Sequence, residues 1–274
     1  MSNKPPSAEQ VAAFHEQGWA ILPGFADAAA LGELREQMGK LLGAFEPSDH
    51  PSLFHANNGA SSDAYFLESG NQIRFFLEPD AVDAKGQLTV AREQSVNKAG
   101  HALHTLDPVF RRFCASSHLK QVAAAFGQRE PRALQSMYLF KQPRIGADVA
   151  LHQDATFLYT DPVSVLGLWL ALDDADESNG CLWALPGGHR LGLKRRLRRD
   201  GAASTRMEIL DPTPFPERGL TPLPVTAGSL VVLHGLLPHL SRPNRSGRPR
   251  HAFSVHYIDE ACRYPEDNWL RPTG

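Results

Sequence analysis

The chain has 274 residues, 42% of them hydrophobic, and a formal net charge of −2 at pH 7. This length is enough to bury a sizeable core, and so small a charge excludes bulk attraction to nucleic acid or to an anionic membrane. No apolar segment has the form of a signal peptide or approaches the roughly 20 residues that span a bilayer.

The first part of the chain carries helix signals. Ser7, with Gln10 three residues later, forms the pattern of a capping box, and Gly18 ends the helix that this pattern predicts. Asp27 is placed to cap a second helix, in which apolar residues recur with the 3.6-residue period of a buried helix face. Asp107, followed by a proline at the first helical position, predicts another helix.

A polar segment interrupts these helices. Residues 46–64 are rich in Ser, Asn, His and Pro, so they predict a mobile loop. His50 and His55 lie in this segment, and neither is expected to bind a metal.

From about residue 131 onward, short apolar runs alternate with Gly, Pro and Asp. The predicted strands are 134–140, 149–159, 165–173, 181–185, 223–233 and 250–258. Several short strands with turn signals between them predict an all-β barrel or sandwich. No repeat or linker divides the chain. We therefore expect one domain over 1–274, with a helical part at about 7–127 packed on a β core at about 131–260.

A basic segment, residues 190–219, breaks this strand pattern. It contains Lys194, Arg195, Arg196, Arg198 and Arg199. One interpretation is a solvated insertion between strands, and the other is a lid whose cations meet an anionic substrate. Residues 46–64 lack a periodic apolar face, and 190–219 breaks the strand pattern with charge, Gly and Pro. We therefore expect both to border the substrate opening and to be more mobile than the β core.

Three side chains suit an iron site. His152 and Asp154 stand two residues apart, which in an extended chain places them on one face, and His239 comes much later in the chain. Two imidazoles and one carboxylate can occupy one face of an octahedral Fe(II) and leave positions open for a cosubstrate and O₂. Ser241 and Arg250 follow. The planar fork of an arginine suits a carboxylate cosubstrate such as 2-oxoglutarate.

Longer motifs surround these residues. They are Ile73-Arg-Phe-Phe76, Asn97-Lys-Ala-Gly-His-Ala-Leu-His104, Gln135-Ser-Met-Tyr138, His152-Gln-Asp-Ala-Thr-Phe-Leu-Tyr159, Asn179-Gly-Cys-Leu-Trp183, Pro186-Gly-Gly-His189, His234-Gly-Leu-Leu-Pro-His239 and Glu266-Asp-Asn-Trp-Leu270. Together they resemble the phytanoyl-CoA dioxygenase family over nearly the whole chain.

The resemblance implies a fold, a reaction and a set of site residues. The fold would be mainly β with flanking α-helices, on a double-stranded β-helix (jelly-roll, cupin-like) core. The enzyme would be an Fe(II)- and 2-oxoglutarate-dependent dioxygenase of the hydroxylase type that uses O₂ and releases succinate and CO₂. The implied residues are His152, Asp154 and His239 for the iron, and Lys98, Met137, Trp169, Ser241 and Arg250 for the cosubstrate.

Several neighbours leave alternatives open. Arg248 is the nearest rival of Arg250, and His234 lies close enough to His239 to compete with it as a ligand. Gln153 would point away from the two ligands that flank it if the strand is regular. His256 could lie near the pocket, where we interpret it as a structural histidine.

Substrate contacts are less well defined. His101 and His104 lie near Lys98, and Arg74 is an arginine inside an apolar segment, which usually has a partner or a ligand. The substrate would be a small molecule or an acyl-CoA-type compound. We expect no nucleic acid, membrane or obligate protein partner.

Two other functions remain open. A cupin-like metalloenzyme could use the same ligands without 2-oxoglutarate, and a metal- or 2-oxoglutarate-binding protein could have little catalytic activity. The residues for the cosubstrate favour the oxygenase. Three cysteines, an odd number without Cys-x-x-Cys spacing, fit a reducing compartment, so we expect a cytoplasmic protein.

Overall fold

The computed structural model describes residues 4–47, 64–201, 204–216 and 218–271. Its helices are Ala8–Gln17 (α1), Ala28–Gly43 (α2), Ala64–Glu68 (α3), Arg92–Ser95 (α4), Leu103–Leu106 (α5), Pro108–Cys114 (α6) and Ser117–Ala125 (α7). Its strands are Trp19–Leu22 (β1), Ile73–Leu77 (β2), Val96–His101 (β3), Pro131–Leu139 (β4), Val149–His152 (β5), Leu166–Ala171 (β6), Leu182–Ala184 (β7), Arg195–Arg199 (β8), Thr205–Ile209 (β9), Thr221–Leu223 (β10), Leu230–His234 (β11), His239–Ser241 (β12) and Ala252–Asp259 (β13).

Two antiparallel sheets pack against each other and form the expected jelly-roll core. The larger sheet has the strand order β1-β11-β6-β13-β4-β3-β2, and the smaller has the order β10-β7-β12-β5. Strands β8 and β9 form a separate hairpin. The larger sheet therefore has two faces to cover, one toward the smaller sheet and one toward the helices.

The central strands of the larger sheet are apolar on both faces. In β11, Leu230 and Val232 pack in the cluster that includes the helices, whereas Val231 and Leu233 pack toward the smaller sheet. Strand β6 is buried along its whole length for the same reason. A strand covered on both sides reads as a continuous apolar run, because neither set of alternating side chains meets water.

The predicted helix boundaries are confirmed. Ser7 and Gln10 form the reciprocal bonds of a capping box, and Gly18 ends α1 in the left-handed region with φ of 95°. The side chain of Asp27 caps α2, and that of Asp107 caps α6. These caps fix where each helix begins as it packs on the outer face of the larger sheet.

Two predicted strands are shorter than expected. The run 223–233 covers only the end of β10 and most of β11, which belong to different sheets and are separated by a turn at Gly228 with φ of 85°. A Cβ atom there would lie 2.3 Å from the carbonyl oxygen of Ala26, so the turn requires glycine. The run 149–159 ends its strand at His152, and a single turn of 3-10 helix follows.

The N-terminal part and the basic segment also differ from expectation. Residues 7–127 are not only helical, because they contribute β1, β2 and β3 to the larger sheet. The segment 190–219 contains the hairpin β8–β9. Leu197 pairs with Met207 across that hairpin, and both pack in the cluster that contains Trp269. The apolar face of the hairpin is hidden among arginines in the sequence.

The predicted loop 46–64 cannot be compared with the structure over most of its length, because residues 48–63, including His50 and His55, lie outside the described residues. Among the helices that the structure describes, none is long and apolar enough to cross a membrane.

Candidate active site

A cavity of about 740 Å³ lies between the sheets and beneath the hairpin β8–β9. Strands of both sheets line it, and aromatic and aliphatic side chains form much of its wall. The structure brings together in this cavity every residue that the sequence assigned to the metal and the cosubstrate, namely Lys98, Met137, His152, Asp154, Trp169, His239, Ser241 and Arg250.

The predicted metal ligands meet at one wall of the cavity. His239 lies directly opposite His152 where β12 pairs with β5. Gln153 has extended backbone angles of φ −117° and ψ 135°, which keep Asp154 on the same side as His152. The Oδ1 atom of Asp154 lies 3.6 Å from Nε2 of His152 and 3.7 Å from Nε2 of His239. The three side chains each offer one ligand atom within 4.8 Å of the others.

Backbone carbonyls orient both imidazoles. Nδ1 of His152 lies 2.8 Å from the oxygen of Ala150, and Nδ1 of His239 lies 2.9 Å from the oxygen of Leu237. A carbonyl only accepts hydrogen bonds, so Nδ1 carries the proton in each ring and Nε2 keeps its lone pair. Both lone pairs are then available on the side of Asp154. Imidazoles oriented in this way are suited to metal binding.

The charges of the cluster also fit a divalent cation. Burial by itself would raise the pKa of the Asp154 carboxyl, but His256 and His239 hold its pKa well below the usual range. Burial lowers the pKa of His239 to about 4. At neutral pH the carboxylate is therefore charged and the imidazole of His239 is neutral. Two nitrogen donors and one carboxylate oxygen match the donor set of mononuclear iron oxygenases.

Arg250 lies deeper in the cavity, only 2% exposed. Its Nε donates to the carbonyl oxygen of Gly180 at 3.0 Å, and its Nη2 donates to Oγ of Ser241 at 3.1 Å. Its guanidinium carbon lies 5.3 Å from the centroid of the Trp169 ring. Within the described part of the chain, the buried Nη1 has no hydrogen-bond partner. Nη1 of the guanidinium can therefore still donate a hydrogen bond to a ligand.

The charge of Arg250 is not matched by a carboxylate. Burial lowers its pKa to about 10, so the group remains a cation at neutral pH. Among residues 4–47, 64–201, 204–216 and 218–271, no Asp or Glu forms an ion pair with it. Its rival, Arg248, is exposed and pairs with Asp176 at 2.7 Å. An unpaired buried cation is costly unless a ligand supplies the anion.

Lys98, Met137 and Trp169 lie on the inner face of the larger sheet. Met137 of β4 and Trp169 of β6 both pair with Ser254 of β13, one from each side, so Met137, Trp169 and Ser254 share a face of the sheet. Nζ of Lys98 lies 5.0 Å from the centroid of the Phe76 ring, and burial lowers the pKa of this lysine to about 8.

The three residues predicted for substrate contacts have different positions. His101 lines the cavity, and its Nδ1 lies 2.7 Å from a serine hydroxyl. His104 does not line the cavity and is hydrogen-bonded to another serine. Arg74 also lies outside the cavity wall, where it pairs with Glu68 at 2.6 Å. Only His101 is therefore placed to meet a molecule in the cavity.

The cover of the cavity lies within the segment 190–219, which we expected to border the substrate opening. It consists of residues 194–199 and 205–215 and is here called the roof. Lys194 is buried in it, and its Nζ donates to the carboxylate of Asp211. The backbone nitrogen of Lys194 donates to Oε1 of Gln153 at 3.0 Å. Gln153, which separates His152 and Asp154 in sequence, therefore holds the roof beside the wall that carries the His-Asp-His cluster, here called the metal-binding wall.

His256 was interpreted from the sequence as structural, yet it lines the cavity. Its Nε2 lies 3.3 Å from Oδ2 of Asp154. A signal for this position was available, because Ser254 and His256 alternate on β13 and so share its inner face.

Comparison with known proteins agrees with this architecture. The sequence profile of the family described as phytanoyl-CoA dioxygenase (PhyH) matches residues 14–252. The chain is 41% identical over 265 residues to the phytanoyl-CoA dioxygenase of Arabidopsis thaliana, covering 96% of this chain and 93% of that protein. It is 40% identical over 277 residues to the phytanoyl-CoA dioxygenase domain-containing protein 1 of Bos taurus, covering 97% and 95%.

A solved structure shows the same fold at greater distance. The crystal structure of EctD from S. alaskensis with 2-oxoglutarate and 5-hydroxyectoine superposes with a TM-score of 0.66 at 21% identity, covering all of this chain and 86% of that one. The profile match and the close relatives cover nearly the whole chain, including the His152, Asp154 and His239 cluster and Arg250. The chain therefore belongs to the phytanoyl-CoA dioxygenase family and is a dioxygenase that depends on Fe(II), 2-oxoglutarate and O₂.

Proposed function

We propose that this enzyme hydroxylates a small-molecule substrate, with iron held by His152, Asp154 and His239. The single observation that carries the assignment of the site is the buried, unpaired guanidinium of Arg250 in the same cavity as the His-Asp-His cluster. A set of metal ligands alone fits many reactions. When a buried cation without an anion lies beside it, the site fits a dicarboxylic acid that binds the metal at one end and the cation at the other.

The cosubstrate end would be formed by Lys98, Met137, Trp169, Ser241 and Arg250. Arg250 donates to the far carboxylate of 2-oxoglutarate through Nη1, which has no other partner in the described chain. Ser241 donates its own proton to Gly180 at 2.9 Å and accepts from Arg250, so it holds the guanidinium in place. The indole of Trp169 packs against the guanidinium and excludes water from it.

When bound, the iron supplies the oxidising chemistry: one atom of O₂ enters succinate as 2-oxoglutarate loses CO₂, and the other becomes the hydroxyl group of the product. The protein orients these reactants. His152 and His239 present Nε2 because their Nδ1 protons are committed to carbonyls. Asp154 adds a single negative charge in a buried site.

The substrate would have a largely apolar portion. Beyond the metal and cosubstrate residues, the cavity is lined by Phe66, Phe76, Phe157, Phe215 and Trp269. These side chains can bury an aliphatic or ring-bearing group next to the metal. An acyl-CoA-type substrate is compatible with this wall if its acyl part enters the cavity. The name of the Arabidopsis relative points to such a thioester.

The proposal also covers the domain organisation, the compartment and the protein partners of the enzyme. We place the whole catalytic machinery in one domain over 1–274, acting in the cytoplasm without an obligate protein partner. The three cysteines are free, which supports a reducing compartment.

Succinate formation tests the proposal against its two alternatives. The purified protein, supplied with Fe(II), 2-oxoglutarate and O₂, should form succinate slowly even without its prime substrate. Arg250→Lys should reduce this activity and Arg248→Lys should not. A metal-dependent activity that is indifferent to 2-oxoglutarate would favour the cupin-like enzyme. Tight 2-oxoglutarate binding without succinate would favour a binding protein.

A further inference from the structure

The two oxygens of the Asp154 carboxylate have different surroundings. Oδ1 faces the Nε2 atoms of His152 and His239, whereas Oδ2 points away from them and is buried. Nε2 of His256 lies 3.3 Å from Oδ2. This contact is longer and less well aligned than an ideal hydrogen bond, and no described residue makes a better one with Oδ2. Buried Oδ2 and the imidazole of His256 therefore face each other at the wall of the cavity.

The lack of a side chain on Gly167 makes room for this contact. Gly167 pairs directly with His256 across β6 and β13. A Cβ atom on Gly167 would lie 2.8 Å from Oδ2 of Asp154 and 3.7 Å from Cδ2 of His256. Any larger residue would push the carboxylate from its position. The sheet thus provides a space into which Oδ2 fits beside the imidazole.

His256 can donate in only one direction. Its side chain is 5% exposed, and its buried Nδ1 has no partner in the part of the chain that the structure describes. An imidazole N–H points to an acceptor where one is present, and among the described residues that acceptor is Oδ2 of Asp154, on the Nε2 side. The proton therefore belongs on Nε2, directed at Asp154.

We propose that His256 is a positioning residue that holds Oδ2 of Asp154, so that this carboxylate binds iron through Oδ1 alone. The inference rests on the proposed assignment of the metal ligands. The restraint matters because a carboxylate can bind a metal through one oxygen or through both. Binding through both would take a position that the cosubstrate or O₂ needs. Partners of metal ligands typically contribute 10- to 100-fold to metal affinity.

Binding of Co(II), a divalent probe with visible absorption, tests the inference without turnover. His256→Leu should weaken Co(II) affinity by roughly 10- to 100-fold. His256→Gln should stay within a few-fold of wild type, because its side-chain amide can donate from near the position of the imidazole Nε2. His104→Leu is the matched control, a buried histidine outside the cavity, and should bind Co(II) like wild type.

Unchanged Co(II) affinity in a folded His256→Leu protein would overturn the inference. If circular dichroism shows that this variant does not fold, His256→Gln and His256→Asn decide. The shorter amide of asparagine cannot reach Asp154, so equal affinities of the two would also overturn it. Asp154→Ala separates this result from the ligand assignment. Unchanged affinity in Asp154→Ala would remove the assignment itself, whereas loss there with no effect of His256→Leu would remove only the positioning role.

Discussion

Two basic regions border the same cavity, and they differ in how their charges are satisfied. In the roof, Arg196 pairs with Asp267, Arg198 pairs with both Asp267 and Glu208, and Lys194 pairs with Asp211. At the cosubstrate end, Arg250 is more deeply buried and has no carboxylate partner among the described residues.

The difference shows which cation is arranged to meet a ligand. A charge that is already paired offers little to an incoming anion, whereas a buried charge without a partner gains a full ion pair when one binds. The basic segment 190–219 was interpreted in part as an anion-binding lid. Ion pairs instead give Arg196 and Arg198 a structural role, whereas Arg195 is exposed and lines the cavity.

The largest effect is expected at the metal-binding wall. His239→Ala removes an Nε2 donor that faces Asp154, so 2-oxoglutarate turnover should fall to background while the fold persists. His234→Ala is the control. Its Nδ1 accepts from the backbone of Leu236 at 3.0 Å, so this ring has a structural role. Succinate release and circular dichroism measure both variants, and the reverse pattern would make His234 the third ligand.

The next effect concerns the unpaired cation itself. Arg250→Lys keeps the charge but loses the planar fork. A hydrogen bond to a charged group contributes about 1.5–3 kcal/mol, so the Michaelis constant for 2-oxoglutarate should rise by roughly tenfold to a hundredfold. Arg248→Lys, on a surface pair with Asp176, should leave it unchanged. A large rise for Arg248→Lys alone would reassign the anchor.

Two of the three residues in the His-Asp-His cluster could be paired because they are local in the sequence, whereas His239 was chosen on the family resemblance. His152 and Asp154 are near neighbours, and the fold needs only one extended residue between them to place both on one side. The requirement for Gly167 beside Asp154 could not be predicted in the same way. It depends on β6 passing close to a carboxylate from another part of the chain, and no local pattern records that approach.

The sequence predicted that the segment of the roof borders the cavity, but its hairpin and ion pairs could not be predicted, for a related reason. Leu197 and Met207 look isolated among arginines, and only their pairing across the hairpin and their packing with Trp269 reveal an apolar face. The partner of Arg196, Asp267, lies near the other end of the chain. Charge runs are therefore ambiguous in sequence, because the residues that neutralise them can be distant.

Breaking an ion pair of the roof should lower the stability of the protein more than it changes the use of 2-oxoglutarate. Arg196→Glu places a second negative charge against Asp267 and loses the packing of Arg196 over the Tyr159 ring, 4.4 Å away. We expect a loss of about 1–3 kcal/mol in the free energy of unfolding, between the limits for exposed and buried pairs. Arg195→Glu is the exposed control and should change it by less than about 0.5 kcal/mol.

Thermal unfolding measures this pair of variants, and uncoupled succinate formation should stay close to wild type in both, because neither residue touches the metal-binding wall. Equal stabilities of the two proteins would contradict the structural role of Arg196. Hydrogen exchange adds a second measurement: the roof should exchange faster than β6, and equal protection would contradict the expected mobility of 190–219.

The smallest expected effect is a pH dependence at Lys98. Burial lowers the pKa of Lys98 to about 8, so it is a cation at pH 7 and mostly neutral at pH 9. If Lys98 meets the 2-oxoglutarate dianion, the Michaelis constant for this cosubstrate should rise several-fold across that interval. Lys98→Arg stays charged and should flatten the rise.

Arg250, with a pKa lowered to about 10, remains largely charged to pH 9. Lys141, whose pKa burial lowers to about 7, also titrates there. An undiminished rise in Lys98→Arg would therefore transfer the effect from Lys98 to Lys141.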